Sequence, residues 1–195
     1  VDHKCQPAGA LVMTPEGPVT VGSLFEAGED WTCAAWDERS KESRWATARA
    51  PTRAGVQDVY RVNMTTGLSE EFGYNHPILT EEGWKAARDL RPGDAVVVGG
   101  RPGGLICYYR YPVKSVELVG QEECYDIEVP SYHTFLTGGG VVTHNTSARL
   151  TPNQRKFYSI SGQMLGYRML AQAFYGSEMA GIRLNMLQHT GGFKF

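Results

Sequence analysis

The chain has 195 residues, 42% of them hydrophobic and 21% charged, a balance that suits a globular protein with one large domain, or one domain and a fragment. A formal net charge of −2 gives no global pull toward nucleic acid or a membrane surface. No apolar run reaches transmembrane length, no signal-peptide pattern opens the chain, and the four cysteines (5, 33, 107 and 124) form no C-x-x-C pair, which argues against a zinc site and for a reducing, cytoplasmic setting.

Val1-Asp2-His3-Lys4 reads as the interior of a strand and carries no initiator methionine, as in a piece of a longer protein. From about residue 10 to 145 the signals are for strands. Leu11 to Met13 is followed by the turn Pro15-Glu16-Gly17 and then Val19 to Val21. Trp31 to Trp36 and Trp45 to Ala50 come next, and Tyr60, Val62 and Met64 alternate with polar residues at the period of a half-buried strand. Short strands are expected at 77–79, 95–98, 105–111, 113–119 and 125–129, with turns at Glu82-Gly83, Pro92-Gly93-Asp94 and through residues 99–104. Helical character is confined to single turns near Val21 to Ala27 and Ala86 to Leu90. The pattern is all-β. After Thr146 it changes: apolar residues at Phe157, Ile160, Met164, Tyr167, Ala171 and Phe174 predict an amphipathic helix with Pro152 in its first turn, and Gly181 to Thr190 predicts a strand. A boundary is therefore expected at Asn145/Thr146.

Gly138 to Gly140 divide the runs 134–137 and 141–143, which predicts a hairpin. If the turn is symmetric about Gly139, His133 lies across from Asn145. An asparagine can attack its own backbone carbonyl and cut the chain after itself, and a neighbouring histidine, His133 or His144, suits that reaction. At the other end, the Cys5 thiol can attack the Lys4 carbonyl in an N–S acyl shift, which needs a polarised peptide and a proton donor for the leaving amine. His76 can supply that proton. Taken singly, Cys5, His76, His133 and Asp126 are no more than ordinary core or surface residues.

Together they resemble an intein of the Hint fold. Cys5 with Gly-x-Leu-Val-x-Thr-x-x-Gly (Gly9 to Gly17) is similar to the amino-terminal splicing block. Gly73-Tyr74-Asn75-His76-Pro77-Ile78-Leu79-Thr80, followed by Trp84, Leu90 and Pro92-Gly93-Asp94, is similar to the second. Cys124 to Val129 through His133-Thr134-Phe135 resembles the penultimate block, and Gly140-Val141-Val142-Thr143-His144-Asn145 with Thr146 resembles the carboxy-terminal one. The resemblance implies a horseshoe-like, pseudo-two-fold β domain over residues 5–145, with host segments at 1–4 and 146–195. It also implies splicing. Cys5 forms a thioester with Lys4, assisted by His76; Thr146 takes the upstream segment as an ester; Asn145 cyclises with help from His144 and His133; and Lys4 is joined to Thr146. Asp126 activates Thr146 or coordinates the first and third steps. Splicing of this kind needs no cofactor and no partner. Between the second and penultimate blocks there is no paired acidic helix motif, so the chain reads as a minimal intein without a homing endonuclease. One position departs from the family: the second block usually has threonine three residues before its histidine, and here that residue is Gly73, which slows the first step or hands the threonine's role to another group.

The flanks, read together, resemble the catalytic strand and following helix of RecB-like exonucleases of the PD-(D/E)xK superfamily. Asp2 and Lys4 have the spacing of the D-x-K pair, and Gln163 and Tyr167 fit the helix's Gln-x-x-x-Tyr. That likeness implies Mg²⁺ held by Asp2, and DNA as the substrate of the mended host; the fragment alone lacks the upstream acidic residues and is not expected to cut DNA. Two other readings fit the sequence: a Hint domain that cleaves without ligating, which usually lacks a nucleophile after the asparagine, and a nuclease fragment with an inert insertion.

Overall fold

The computed structural model of the chain describes residues 4–105 and 108–145. The elements run β1 (Gln6–Pro7), β2 (Leu11–Thr14), β3 (Gly17–Thr20), α1 (Val21–Ala27), β4 (Trp31–Asp37), β5 (Glu42–Ala48), β6 (Thr52–Met64), β7 (Ser69–Gly73), β8 (Pro77–Thr80) and β9 (Gly83–Ala86). A 3₁₀ turn at Ala87–Asp89 precedes β10 (Ala95–Gly99), β11 (Tyr108–Asp126), β12 (Thr134–Leu136) and β13 (Val142–His144). Among the described residues no helix is long and apolar enough to cross a membrane.

The architecture is antiparallel β throughout. One sheet has the order β12-β13-β8-β10-β11-β6-β7, with β1 added to β11 and β9 to β8; β2–β3 and β4–β5 form separate hairpins. The one α-helix among the described residues is set by its ends. Thr20 caps it by accepting from the Ser23 N–H, and Gly28 closes it at φ 67° with its N–H on the Leu24 carbonyl. Val12, Val21, Ala35, Tyr125, Ile127 and Phe135 form one core, and Val62, Phe72, Ile78, Val96, Val113 and Val141 a second.

The main difference from the sequence reading is β11. The expected strands at 105–111, 113–119 and 125–129 are largely one strand, Tyr108–Asp126, and Ile127 to Val129 lie beyond its end. Register shifts between Val113 and Ser115, Leu118 and Gly120, and Cys124 and Tyr125 break the alternation that a single strand would otherwise display. Pro112, which has no N–H to donate, sits where β11 leaves β10 and takes up β6. Strands β7 and β9 were not anticipated: Ser69–Gly73 has two adjacent glutamates and β9 spans only four residues.

The turn between β12 and β13 is clamped by Glu70. Its carboxylate accepts the Gly139 N–H at 2.8 Å and the Thr137 hydroxyl at 2.6 Å. Gly140 adopts φ 87°, and a Cβ there would lie 2.6 Å from the Gly99 carbonyl oxygen, so both its conformation and its surroundings require glycine. Burial pushes the Glu70 carboxyl up to about 7, against the pull of the Thr137 and Gly139 bonds. Between its ordinary range and pH 7 the folded chain holds a proton that the unfolded chain has already released, so this group's effect is to lower stability as pH rises through that window. Glu70→Gln resembles the protonated form and removes the dependence. In a processing-blocked Cys5→Ala/Asn145→Ala chain, Glu70→Gln should gain on the order of 1–3 kcal/mol relative to Glu70 above neutral pH, and little at pH 5. Denaturant melts at the two pH values check this; equal gains at both would place the titration elsewhere.

Candidate functional site

Strand β1 is two residues long, and its position depends on β11. Gln6 pairs with Tyr125 and Pro7 with Cys124, a register that continues to put Cys5 across from Asp126. Cys5 is fully buried and packs with Cys124, Val59 and Ala54. A hydrogen bond with the Cys124 thiol, then burial, then the charges of Cys124 and Asp126 hold the Cys5 thiol well above the usual thiol range. At neutral pH the residue is therefore a protonated thiol, and its attack on a carbonyl requires a group to take its proton.

His76 stands at the entry to β8, buried between Phe72 (ring centroids 5.8 Å apart, stacked) and Phe135 (5.7 Å, edge-on). Burial lowers its ring to about 3, against the opposing pull of the Lys4 and Cys5 carbonyls, so the ring is neutral and carries one N–H. Its Nδ1 lies 3.0 Å from the Lys4 carbonyl oxygen and its Nε2 lies 3.2 Å from Gln6 Nε2. A carbonyl can only accept, so Nδ1–H donates to Lys4, and Nε2 accepts from the Gln6 amide. The proton is thus assigned by the partners on both sides of the ring. The bond falls on the oxygen of the peptide that Cys5 would attack, where it withdraws electrons from the carbonyl carbon.

Gly73 closes the same corner. Its N–H donates to the Cys5 carbonyl at 3.2 Å. A Cβ at this position would lie 2.6 Å from that oxygen and 3.0 Å from the Cys5 sulfur. A side chain at this position cannot fit without displacing the nucleophile, and the Gly73 N–H holds the carbonyl of Cys5 itself.

The other end of the candidate site comes from the last hairpin. Thr134 pairs with His144, so His133 lies across from Asn145, as the turn symmetry predicts, and the Asn145 N–H donates to the His133 carbonyl at 2.9 Å. His133 has φ 57°, a left-handed conformation uncommon for a residue with a side chain and of the kind that concentrates at functional sites. Thr143 pairs with Ile78, and two more residues of that register put Asn145 across from His76. Asn145 is 2% exposed, and neither its side-chain oxygen nor its nitrogen has a hydrogen-bond partner among the described residues. Such a buried, unpaired amide costs about 1–3 kcal/mol. His144 sets its ring edge-on to Trp84 at 5.1 Å, and its buried Nδ1 has no partner among the described residues. Burial, then the positive charges of Lys4 and His133, lower its pKa. The charge of Lys4 reaches His144 and that of His144 reaches His76, so both ends of the segment meet at one place.

Cys5, His76, Asp126, His133, His144 and Asn145 thus fall together, and the Lys4 carbonyl joins them. Thr146, Asp2, Gln163 and Tyr167 lie outside the described residues, as do Cys107, the helix expected from Pro152 and the strand expected at 181–190. Among the described residues no group of three or more histidine, cysteine, aspartate or glutamate side chains is placed to hold a metal. Sequence reasoning missed Gln6 and the contact of Cys124 with Cys5. Cys124 gave no signal, because the register shift between Cys124 and Tyr125 breaks the alternation of β11 there. Gln6 gave none beyond standing next to Cys5.

No family model matches the chain, and no curated protein does. Solved structures do match. A DnaB intein from Synechocystis sp. PCC 6803 is 20% identical, with a TM-score of 0.66 over 73% of this chain and 99% of that one. The DnaX mini intein from Spirulina platensis is 21% identical, with a TM-score of 0.62 over 72% and 99%. A bacterial intein-like domain from Clostridium thermocellum is 20% identical, with a TM-score of 0.60 over 73% and 99%. At these identities the likeness is one of fold. The described chain has the mostly β, curled antiparallel Hint fold, the fold these intein structures share.

Proposed function

We propose that residues 5–145 excise themselves and join Lys4 to Thr146. The observation that carries this reading is the meeting of two scissile peptides in one site: the Lys4 carbonyl held by His76 beside the Cys5 thiol, and the unpaired Asn145 amide across from both His133 and His76. In the first step Cys5 Sγ adds to the Lys4 carbonyl carbon. The Lys4–Cys5 C–N bond breaks, the thiol gives up its proton, and the Cys5 amine gains one. His76 polarises the carbonyl, and Asp126, whose charge bears on Cys5, takes the proton from the thiol and passes it to the leaving amine. In the second step the Thr146 hydroxyl displaces Cys5 and takes the upstream segment as an ester. In the third, Asn145 Nδ2 attacks its own carbonyl carbon, the Asn145–Thr146 bond breaks, and a succinimide forms as the Thr146 amine leaves with a proton. His144 and His133 are the groups beside that bond. Last, the free amine attacks the ester, and an amide joins the two flanks. One peptide bond is exchanged for another, so no nucleotide drives the sequence.

Mass spectrometry of the purified chain over time tests the proposal. The expected products are residues 5–145 ending in a succinimide, and residues 1–4 joined to 146–195. Both flanks released separately would mean cleavage without ligation. An intact mass after prolonged incubation in reducing buffer would rule out processing altogether. The exonuclease reading of the flanks, with Mg²⁺ and DNA, rests on the spacing of Asp2 with Lys4 and of Gln163 with Tyr167, all but Lys4 outside the described residues.

A further inference from the structure

Gln6 is a polar side chain at 1% exposure, one residue after the nucleophile. Its Nε2 is paired to His76, and its Oε1 has no partner among the described residues. An apolar side chain of the same length would fill the space without leaving a buried polar atom unpaired. The alternation of a strand puts Lys4 and Gln6 on one side and Cys5 on the other, and His76 spans the first pair, with Nδ1 on the Lys4 carbonyl and Nε2 on the Gln6 amide.

The Lys4 carbonyl favours a proton on Nδ1, but that one bond holds the tautomer alone unless Nε2 is occupied as an acceptor. Phe72 and Phe135 touch the ring but cannot choose between the nitrogens. Gln6 can, because the group it presents to Nε2 is a donor. With Nε2 occupied as an acceptor, the single proton resides on Nδ1, facing the scissile carbonyl. The opposite tautomer would set a lone pair against the Lys4 oxygen and remove the polarising bond.

We infer that Gln6 is a positioning residue for thioester formation: its side-chain amide fixes His76 in the Nδ1–H tautomer and so aims the donor at the Lys4 carbonyl. This rests on the splicing reading above for its consequence, but the pairing itself can be read separately. Gln6 touches neither reacting bond and acts only through His76. Glutamate, once ionised, only accepts and so favours the opposite tautomer, and methionine offers Nε2 no hydrogen.

Two measurements test this. The first is nitrogen NMR of the His76 ring in the Cys5→Ala/Asn145→Ala chain, which cannot process. The wild-type residue at position 6 should give a protonated Nδ1 and a bare Nε2. Gln6→Glu should move the proton to Nε2 or place one on each nitrogen, and Gln6→Met should give a mixture. The second is the rate of dithiothreitol-induced release of the upstream segment in chains with Cys5 intact. Gln6→Met should lower it severalfold, in step with the share of rings that lose the Nδ1 proton. Gln6→Glu should lower it most above the pH at which its carboxyl ionises and recover below it, where the acid O–H again donates to Nε2. Cleavage after Asn145, followed in a Cys5→Ala background, should persist in both variants and reports that they fold. Unchanged release rates in both variants, or a His76 proton on Nε2 with Gln6 present, would overturn the inference. A chain that shows the expected tautomer but never releases its leader overturns the splicing reading and leaves the pairing intact.

Discussion

Placing a threonine at position 73, as the resemblance to inteins would suggest, should cripple the proposed first step rather than improve it. In Gly73→Thr, thiol-induced release of the upstream segment is expected to fall about a hundredfold or more, because displacements near 1 Å at a reacting pair cost that much. The offending atom is the Cβ, 2.6 Å from the Cys5 carbonyl oxygen and 3.0 Å from its sulfur. Residue 73 cannot retreat freely: it pairs with Val59, its carbonyl accepts the His76 N–H at 2.9 Å, and its own N–H is on Cys5. Cys5 lies just before the two-residue strand β1 and has fewer main-chain bonds to hold it, so the strain falls on the nucleophile. Gly73→Ala should do nearly the same, which separates crowding from any effect of a hydroxyl. Both variants should also lose about 1–3 kcal/mol of stability to overpacking. Measurement is by mass after dithiothreitol treatment. A faster first step in Gly73→Thr would mean that Cys5 is not held against residue 73 before it reacts.

The two ends of the site should also be separable. Asn145→Ala removes the only side-chain atom able to close a succinimide at that bond and should abolish cleavage before Thr146, while thiol-induced release after Lys4 continues. Cys5→Ala should do the reverse: no thioester and no ligation, with slow release of residues 146–195 persisting. The separation follows from geometry. His76 holds the Lys4 carbonyl and Gly73 the Cys5 carbonyl, whereas His133 and the β12–β13 register serve Asn145. Because Nδ2 and Oδ1 of Asn145 have no partner among the described residues, no hydrogen bond there must be broken before the amide turns on its own carbonyl. Intact-mass time courses of the two single variants and the double variant check this. Loss of both cleavages in either single variant would show that the ends act as one catalytic unit.

Much of the Hint fold was legible because its short strands carry period-two patterns between strong turn residues. The final hairpin was legible to the residue, since Gly138 to Gly140 fix the turn and the turn fixes the register of His133 against Asn145. Other features were not. The length of β11 was hidden by its bulges and by Pro112, each of which imitates a strand end. Strand β7 was hidden by Glu70 and Glu71, one clamping the turn of the last hairpin and the other paired with Arg61. In the site, Cys5, His76, His144 and Asn145 were singled out by chemistry and by motif. Gln6 was not, because its role depends on which ring nitrogen faces it, and that is set by contacts 70 residues apart in sequence. Gly73 was noticed only as a missing threonine; that its hydrogen atom is needed for space required knowing what lies 2.6 Å away.

The addition of β1 to β11 has a consequence for when the chemistry can start. Pro7 docks on Cys124 and Gln6 on Tyr125, so the nucleophile has no pocket until the chain beyond position 125 exists. A ribosome adding 5–20 residues per second needs roughly 6–24 seconds to travel from Cys5 to Cys124, and Asn145 follows within a few seconds more. During that interval Cys5 is an ordinary exposed thiol on an unfolded segment, with His76 not yet aimed at Lys4. Contacts this distant in sequence also close late in folding, after local hairpins such as β4–β5. The order of synthesis therefore acts as a timer: the upstream bond is not primed until β11 has been made, and a chain truncated before β11 would carry its leader uncut.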